Sequence, residues 1–195
     1  MELTTQRLIL RSWRESDAES LYEYAKDPAV GPVAGWPPHT SVWDSREIIR
    51  DVLSADEVYA VTLKGDGRAI GGVGLSVGSA SNFKLPDTEG EIGYWIGVPF
   101  WGRGYIPEAV RELQRHGFED LKLEKIWFGY FDGNTKSKRV QEKCGFTYHH
   151  TLKDVHWEPM NVIRTEHIAC ITREEWLKGK EEGSWKAEGN SFAAG

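Results

Sequence analysis

Short runs of alternating apolar and polar residues recur along this chain, and each run predicts a β-strand. Between these runs, apolar residues three and four positions apart predict helices. The predicted strands are residues 8–13, 58–63, 69–77, 91–98, 125–131, 146–150 and 162–172. The predicted helices are residues 16–27, 41–53, 107–121 and 134–144. This order of strands and helices predicts an α/β fold.

Capping and turn residues set the expected boundaries of several elements. Ser16 is the predicted N-cap of the first helix, and Pro107 suits the first position of the third helix. Gly145 follows the last predicted helix, at a position where glycine often ends helices. Residues 64–67 predict a hairpin turn, and residues 31–40 are rich in Gly and Pro and predict a loop.

The length and composition are those of one globular domain: 195 residues, of which 39% are hydrophobic and 28% charged. We expect this domain to span residues 1–175 and a polar C-terminal tail to span residues 176–195. A net charge of −6 without a basic cluster excludes nucleic acid as the main partner. No apolar run is long enough to cross a bilayer, so no membrane partner is expected.

The two cysteines, Cys144 and Cys170, lack the spacing of a metal site or a redox pair. Together with the absence of a signal-peptide pattern at the N-terminus, this predicts a cytoplasmic protein without a metal. The oligomeric state is expected to be a monomer or a homodimer.

A glycine loop between a predicted strand and a predicted helix is the main candidate for chemistry. The loop, Trp101-Gly-Arg-Gly-Tyr-Ile106, brings backbone N–H groups to a helix N-terminus, which favours binding of a phosphate. No Lys-Ser or Lys-Thr follows the glycines, so the nucleotide triphosphate loop is excluded. Pro107 replaces the third glycine of a dinucleotide fingerprint. Considered alone, the loop is equally compatible with a strand–helix turn that binds no ligand.

The residues around this loop resemble the acetyl-CoA motif of the GNAT superfamily of N-acetyltransferases. The matching blocks are Glu91-Ile-Gly-Tyr-Trp-Ile, Phe100-Trp-Gly-Arg-Gly-Tyr and Glu108-Ala. Further blocks are Asn134-x-x-Ser137, then Val140, Lys143 and Gly145-Phe146, and, near the start, residues 5–11 with Asp17-Ala18. The resemblance covers roughly residues 3–173 and is best to the branch of ribosomal-protein N-terminal (alanine) acetyltransferases.

The resemblance implies a fold, a cosubstrate and a reaction. The implied fold is a mixed, mostly antiparallel central sheet with splayed middle strands and flanking helices. The cosubstrate is acetyl-CoA, and its acetyl group passes directly to a primary amine without an acyl-enzyme. The implied cofactor-binding residues are Ile96, Val98, Trp101, Gly102, Arg103, Gly104, Tyr105, Ile106 and Asn134. Trp101 and Ile106 depart from the family pattern, which has Gln or Arg and a small residue there.

Two residues are candidates for the proton transfers. Ser137 resembles the family's hydroxyl donor to the leaving thiolate, although a serine within a helix also bonds to backbone carbonyls. Glu91 is a candidate base, acting directly or through a water, although a carboxylate at a strand end is more often only solvated. His149 and His150 rank below Glu91 as candidate bases.

The acceptor pocket is expected between the loop of residues 31–40 and the later strands. Trp36, His39 and Trp157 are candidates to grip an amine by stacking or cation–π contact, or else to pack in the core. The acceptor itself stays open: a protein N-terminal α-amine, or a small-molecule amine such as an aminoglycoside, polyamine or amino-acid analogue. A non-catalytic acyl-CoA-binding domain is the third alternative.

Overall fold

A computed structural model describes residues 1–183 of the chain. The strands are β1 (Glu2–Thr4), β2 (Leu8–Ser12), β3 (Val58–Leu63), β4 (Ala69–Val77), β5 (Glu89–Ile96), β6 (Lys125–Phe131), β7 (Thr147–Trp157) and β8 (Val162–Thr172). They form one sheet in the order β1-β2-β3-β4-β5-β6-β8-β7. All neighbouring strands are antiparallel except β5 and β6, which confirms the mixed, mostly antiparallel α/β fold predicted from the sequence.

Helices flank this sheet. They are α1 (Ala18–Ala25), α2 (Gly31–Ala34), α3 (Val42–Ile48), α4 (Tyr105–Arg115), α5 (Thr135–Lys143) and α6 (Arg173–Glu181). A π-helical turn extends α3 over Ile49–Leu53, and another extends α4 over His116–Asp120. The strongly amphipathic α4 buries Ala109, Val110 and Leu113 completely, and this face fixes the helix on the sheet.

The middle of the sheet opens into a splay. The parallel pairing of β5 with β6 covers only three residue pairs, Glu89 to Glu91 against Lys125 to Trp127. Both strands continue beyond this point, β5 to Ile96 and β6 to Phe131, but without pairing to each other. Separation of two adjacent strands leaves backbone groups without a ladder partner, and it opens a gap through the sheet.

Each face of the sheet carries its own apolar cluster. On one face, α4 and α5 cover a core that includes Leu113, Ile126 and Phe128. On the other face, α1 covers Trp13 and Trp95, whose rings stack with centroids 6.1 Å apart. The gap between β5 and β6 therefore lies between two rigid layers, which is where a site can be held in a fixed geometry.

The start of the first helix differs from the sequence prediction. Asp17, not Ser16, is the N-cap residue of α1, and its side chain accepts no N–H of that helix. Its Oδ2 instead accepts the backbone N–H of Arg14 at 2.9 Å, which closes the 3-10 turn ahead of α1. The same carboxylate forms a buried ion pair with Arg11, at 2.7 and 2.8 Å. Ser16 lies inside the 3-10 turn Glu15–Asp17 that this arrangement produces.

The third predicted helix begins two residues earlier than expected. It starts at Tyr105, with Gly104 as its N-cap at φ +76°, and Pro107 is the third helical residue rather than the first. Proline is tolerated there because the N–H groups of the first helical turn have no partner within the helix. The last two residues of the predicted loop, Tyr105 and Ile106, therefore belong to the first turn of the helix.

Three other segments extend or shorten the predicted elements. Strand β5 ends at Ile96 rather than at Val98, because Val98–Phe100 forms a 3-10 turn. Strand β7 is more than twice as long as predicted, and the predicted loop of residues 31–40 contains the short helix α2. Helix α6 passes the expected start of the polar tail, and its Trp176 is buried against the main core. Residues 184–195 of that tail lie outside the described residues.

Candidate active site

The splay between β5 and β6 forms a cleft of about 730 Å³. One wall is β5 with the glycine loop and the start of α4, and the opposite wall is β6 with α5. At its far end the cleft reaches α2 and strands β7 and β8, through Val33, Trp157 and Glu166. The cleft is thus a passage with a phosphate-type loop at one end and an apolar pocket at the other.

The backbone of β5 offers hydrogen-bonding groups to this cleft. Gly97 donates its N–H to Ile70 at 2.9 Å, and the register pairs Trp95 with Gly72 on β4. Since bonding groups alternate along an antiparallel ladder, those of Tyr94 and Ile96 point to the side of β6. No β6 residue pairs with them, so they suit an extended ligand that lies along the strand.

The glycine loop is shaped for close approach of an anion. Gly102 and Gly104 have φ of +73° and +76°, a left-handed conformation that other residues rarely adopt. Both are exposed, and both line the cleft together with Trp101, Tyr105 and Ile106. Open backbone at the N-terminus of α4 fits a pyrophosphate, because its N–H groups and the helix dipole both favour negative charge.

A network from the N-terminal strand region holds this loop in place. Glu108 on the first turn of α4 accepts hydrogen bonds from Thr5 Oγ1 at 2.6 Å and from the Arg7 backbone N–H at 2.7 Å. Its second oxygen pairs with Arg7 Nε at 2.6 Å, and Arg7 Nη1 donates to the Arg103 carbonyl at 3.0 Å. Hydrogen bonds from Thr5 and Arg7, which lie between β1 and β2, therefore fix the position of the glycine loop.

Two of the predicted cofactor residues lie outside the wall of the cleft. Val98 belongs to the 3-10 turn after β5, and its carbonyl accepts the backbone N–H of Trp101 at 3.1 Å. Arg103 points away from the cleft lining and is exposed. The remaining predicted cofactor residues line the cleft: Ile96, Trp101, Gly102, Gly104, Tyr105, Ile106 and Asn134.

Asn134 and Ser137 meet at the start of α5. The Asn134 side chain is the N-cap and accepts the backbone N–H of Ser137 at 3.1 Å. Ser137 is buried, and Tyr94 lines the opposite wall of the cleft. Burial raises the pKa of Tyr94 to about 12, and the Ser137 hydroxyl opposes that rise. The Tyr94 phenol therefore stays protonated at neutral pH.

Glu91 lines the cleft, but its carboxylate is already heavily engaged. It accepts hydrogen bonds from Ser81 Oγ at 2.7 Å, from the Asn82 backbone N–H at 2.8 Å and from Asn82 Nδ2 at 3.3 Å. Three donors fix the orientation of this side chain and stabilise its negative charge. The Glu91 carboxylate is therefore held in one position by the loop that precedes β5.

Glu166 on β8 is a second carboxylate in the cleft, and the sequence analysis did not identify it. The side chain is buried. Burial, and then the charge of Glu91, raise the pKa of Glu166 to about 7. A general base is expected to lie in a cleft and to have a pKa near neutrality, and Glu166 has both properties.

A glycine on the neighbouring strand makes room for this carboxylate. A Cβ atom added to Gly129 of β6 would overlap with the Glu166 carboxylate and lie 3.1 Å from Phe83. Glu166 and the buried Ile168 are two residues apart on β8, so their side chains point to the same face of the sheet. A carboxylate at a position that the strand pattern predicts to be buried is the sequence signal that could have identified it.

Of the predicted acceptor residues, only Trp157 lines the cleft. Its Nε1 donates to the Gly35 carbonyl at 2.5 Å, which joins the β7–β8 hairpin to the loop after α2. Trp36 packs edge-on against Trp95, with ring centroids 5.9 Å apart. His39 is hydrogen-bonded to Ser45 at 2.8 Å, and burial lowers its pKa. Trp36 and His39 therefore pack among residues next to the cleft and do not line it.

The two histidines of β7 are also away from the cleft lining. The Nδ1 atoms of His149 and His150 lie 2.8 Å apart, and the His149 ring packs edge-on against Trp127. Within residues 1–183, His, Cys, Asp and Glu side chains form no group of three that could hold a metal ion. None of the helices in that part of the chain has the length and apolar character needed to span a membrane.

Comparison with known families identifies the class of this protein. Residues 7–147 match the acetyltransferase (GNAT) domain family, and the chain belongs to that family. It is 29% identical over 177 residues to the uncharacterized N-acetyltransferase p20 of Bacillus licheniformis, with 88% of this chain and 97% of the relative covered. The chain is therefore an N-acetyltransferase, and the resemblance stated from its motifs is confirmed.

Two further comparisons concern the ribosomal branch. The putative ribosomal N-acetyltransferase YdaF of Bacillus subtilis is 40% identical over 68 residues, which are 35% of this chain and 37% of YdaF. The structure of Mycobacterium smegmatis RimJ in complex with CoA-disulfide superimposes with a TM-score of 0.73 at 21% identity. That comparison covers 94% of this chain and 95% of RimJ. RimJ thus has the same fold and binds a CoA derivative.

Proposed function

We propose that this protein transfers the acetyl group of acetyl-CoA directly to a primary amine, with a polypeptide N-terminal α-amine as the acceptor. The observation that carries the proposal is the position of Glu166, a buried carboxylate in the same cleft as the phosphate-type loop. Its pKa of about 7 lets it exist in both protonation states at neutral pH. An amine deprotonated there can attack a thioester held along β5.

The residues on the β5 side fit acetyl-CoA. The open backbone of Gly102 and Gly104 would bind the pyrophosphate, and the unpaired backbone of Tyr94 and Ile96 would bind the pantetheine arm. The carbonyl of Ile96 already accepts Trp101 Nε1 at 2.9 Å. This leaves the Ile96 N–H as the group that can polarise the thioester carbonyl.

The proton transfers follow from the positions of the titratable groups. The acceptor enters as an ammonium ion, and Glu166 removes one proton from it, which leaves a lone pair on nitrogen. The nitrogen forms its bond to the acetyl carbon as the carbon–sulfur bond breaks. The departing thiolate takes a proton from the Ser137 hydroxyl. The second proton of the nitrogen, lost as the amide forms, passes through water to restore that hydroxyl, and Glu166 returns its own proton to solvent.

Glu91 contributes to this chemistry as a fixed anion. Its carboxylate is held by Ser81 and Asn82, and its charge raises the pKa of Glu166. Two carboxylates in one partly apolar cleft also attract an incoming ammonium ion. In this proposal Glu91 is therefore a positioning residue, and Glu166 replaces it as the base.

The acceptor pocket favours a slender chain end. Its walls include Ala29, Val33 and Ala34, and the Trp157–Gly35 hydrogen bond closes one side. A polypeptide N-terminus with a small first side chain fits such a passage. The name of YdaF, a putative ribosomal N-acetyltransferase, supports a ribosomal protein as the source. An Aspergillus fumigatus relative, 35% identical over 89 residues, is named FsC-acetyl coenzyme A-N(2)-transacetylase, and this name supports an acceptor other than a ribosomal protein.

The acceptor class can be tested with short peptides. A peptide with a free N-terminal Ala or Ser should be acetylated, and mass spectrometry should place the acetyl group on the α-amine. The control is the same sequence with a blocked N-terminus and an internal lysine, which should stay unmodified. Acetylation of polyamines or aminoglycosides but of no peptide would contradict the peptide assignment and support the small-molecule alternative.

Replacement of Ser137 tests the proton donor. Ser137→Ala should lower turnover by about 10- to 100-fold, at or below the lower end of the usual range for general acids, because a thiolate is a good leaving group. The helix cap survives, because Asn134 accepts the backbone N–H of residue 137. Acetyl-CoA affinity should therefore change less than turnover. An unchanged turnover number would mean that Ser137 has a structural role only.

A further inference from the structure

Helix α5 carries its basic residues in two distinct sets. Lys136, Arg139 and Lys143 lie at the spacing of one helical face and all line the cleft. Lys138 lies outside the cleft lining and has Glu142 at 4.0 Å, one turn further along the helix. The chain as a whole has a net charge of −6, so this cleft-facing set is a local concentration of positive charge.

Lys136 is fixed at the level of the glycine loop. Its ammonium group lies 3.3 Å from the centroid of the Trp101 ring, a cation–π contact. The Trp101 ring is in turn held by its hydrogen bond to the Ile96 carbonyl at 2.9 Å. Trp101 occupies the loop position where the family often has Gln or Arg. The positive charge at this position comes instead from Lys136 on α5.

Arg139 lies one helical turn beyond Lys136, about 4.5 Å further along the axis at 1.5 Å per residue. Its side chain is exposed at the cleft and makes no hydrogen bond or ion pair with the other residues of 1–183. A guanidinium group offers paired donors that match a phosphate monoester.

The chemistry of CoA supplies a ligand for this side chain. The pyrophosphate of CoA is attached to the 5′-oxygen of its adenosine ribose. The 3′-oxygen of that ribose carries a third phosphate, as a monoester. One sugar therefore separates the third phosphate from the two that would lie at Gly102 and Gly104. Arg139 lines the same cleft as these glycines, on the facing wall, one helical turn beyond the contact of Lys136 with Trp101.

We infer that Arg139, assisted by Lys136, binds the 3′-phosphate of CoA and so lets the enzyme discriminate CoA from 3′-dephospho-CoA. This inference rests on the proposed use of acetyl-CoA. It assigns to the α5 face a role in selecting the donor, separate from the glycine loop that binds the pyrophosphate and from the residues that transfer protons.

Isothermal titration calorimetry with CoA and with 3′-dephospho-CoA tests this inference. The wild-type protein should bind CoA about tenfold more tightly at low salt, and higher salt should reduce that ratio. Arg139→Ala should remove most of the preference by weakening CoA binding, while the affinity for 3′-dephospho-CoA stays unchanged. Lys138→Ala, a matched control with the same loss of charge on the outer face of α5, should keep the preference.

Three results would overturn the inference. Equal affinity of the wild-type protein for the two ligands would exclude a 3′-phosphate site and leave the proposed function standing. An equal loss of affinity for both ligands in Arg139→Ala would place the arginine at the pyrophosphate or in the support of the helix. If neither ligand bound the wild-type protein, both the inference and the proposed use of acetyl-CoA would be wrong.

Discussion

Glu166→Gln should lower the turnover number by about 10²- to 10⁴-fold, the usual contribution of a general base. The substituted amide has nearly the shape of the carboxyl group, so the fold should be retained. The affinity for acetyl-CoA should change little, because Glu166 lies on β8, away from the glycine loop. Steady-state kinetics at saturating acetyl-CoA, with calorimetry of CoA binding, measure the two effects separately.

The pH dependence identifies Glu166 more specifically than the loss of rate does. Burial, followed by the charge of Glu91, raises the pKa of Glu166 to about 7. A base acts only when it is deprotonated, so the wild-type rate should fall as the pH decreases through about 7. Glu91→Gln removes the repulsion that raises this pKa, so the rate should persist to lower pH in that variant.

Two outcomes would contradict this assignment. A Glu166→Gln enzyme that retains the wild-type rate would show that another group takes the proton from the amine. A Glu91→Gln enzyme with most of its activity lost, and with the position of the pH profile unchanged, would return the role of base to Glu91. The comparison therefore decides between the base expected from the sequence motif and the one indicated by the geometry.

Gly104→Val should weaken acetyl-CoA binding by about 100-fold or more, since it removes charge-assisted hydrogen bonds worth about 1.5 kcal/mol or more each. Gly104 is the N-cap of α4 at φ +76°, and an added Cβ would lie 3.4 Å from Arg7 Nη2. A β-branched side chain there covers the backbone that a phosphate must approach. Stabilisation of the protein against heat by acetyl-CoA should be lost, and calorimetry should confirm the weaker binding.

The same substitution also strains the backbone, by about 1–3 kcal/mol for a side chain at positive φ. Gly65→Val is the matched control, because Gly65 has φ +88°, nothing within 4 Å of an added Cβ, and a position in the β3–β4 turn. It should lose similar stability and keep its affinity for acetyl-CoA. Thermal stabilisation by acetyl-CoA that survives in Gly104→Val would mean that the glycine loop is not the phosphate site.

Local patterns were sufficient to predict most of the fold. The alternation of apolar residues identified β3, β4, β6 and β8 with their observed bounds. Ser41 caps α3 as its position indicates, by accepting the backbone N–H of Asp44 at 3.0 Å. The position of each of these elements shows in its own local periodicity or capping residue, although its pairing partners can be far away in sequence.

The site was less predictable, because its important contacts join distant parts of the chain. Glu91 matched a family motif, yet the donors that engage it come from Ser81 and Asn82 in a preceding loop. Glu166 lies 75 positions after Glu91, and its raised pKa depends on burial and on that charge. Tyr94 and Ser137 likewise line opposite walls of the cleft. Such pairings appear only when the sheet brings β5, α5 and β8 together.

The stoichiometry of thiol release tests the central claim most directly. With acetyl-CoA and a peptide that has a free α-amine, one free thiol should appear for each acetylated peptide. No acetyl group should remain on the enzyme when the peptide is omitted. Tight binding of CoA with no amine-dependent thiol release, from peptides or from small amines, would contradict the proposal that this cleft transfers acetyl groups.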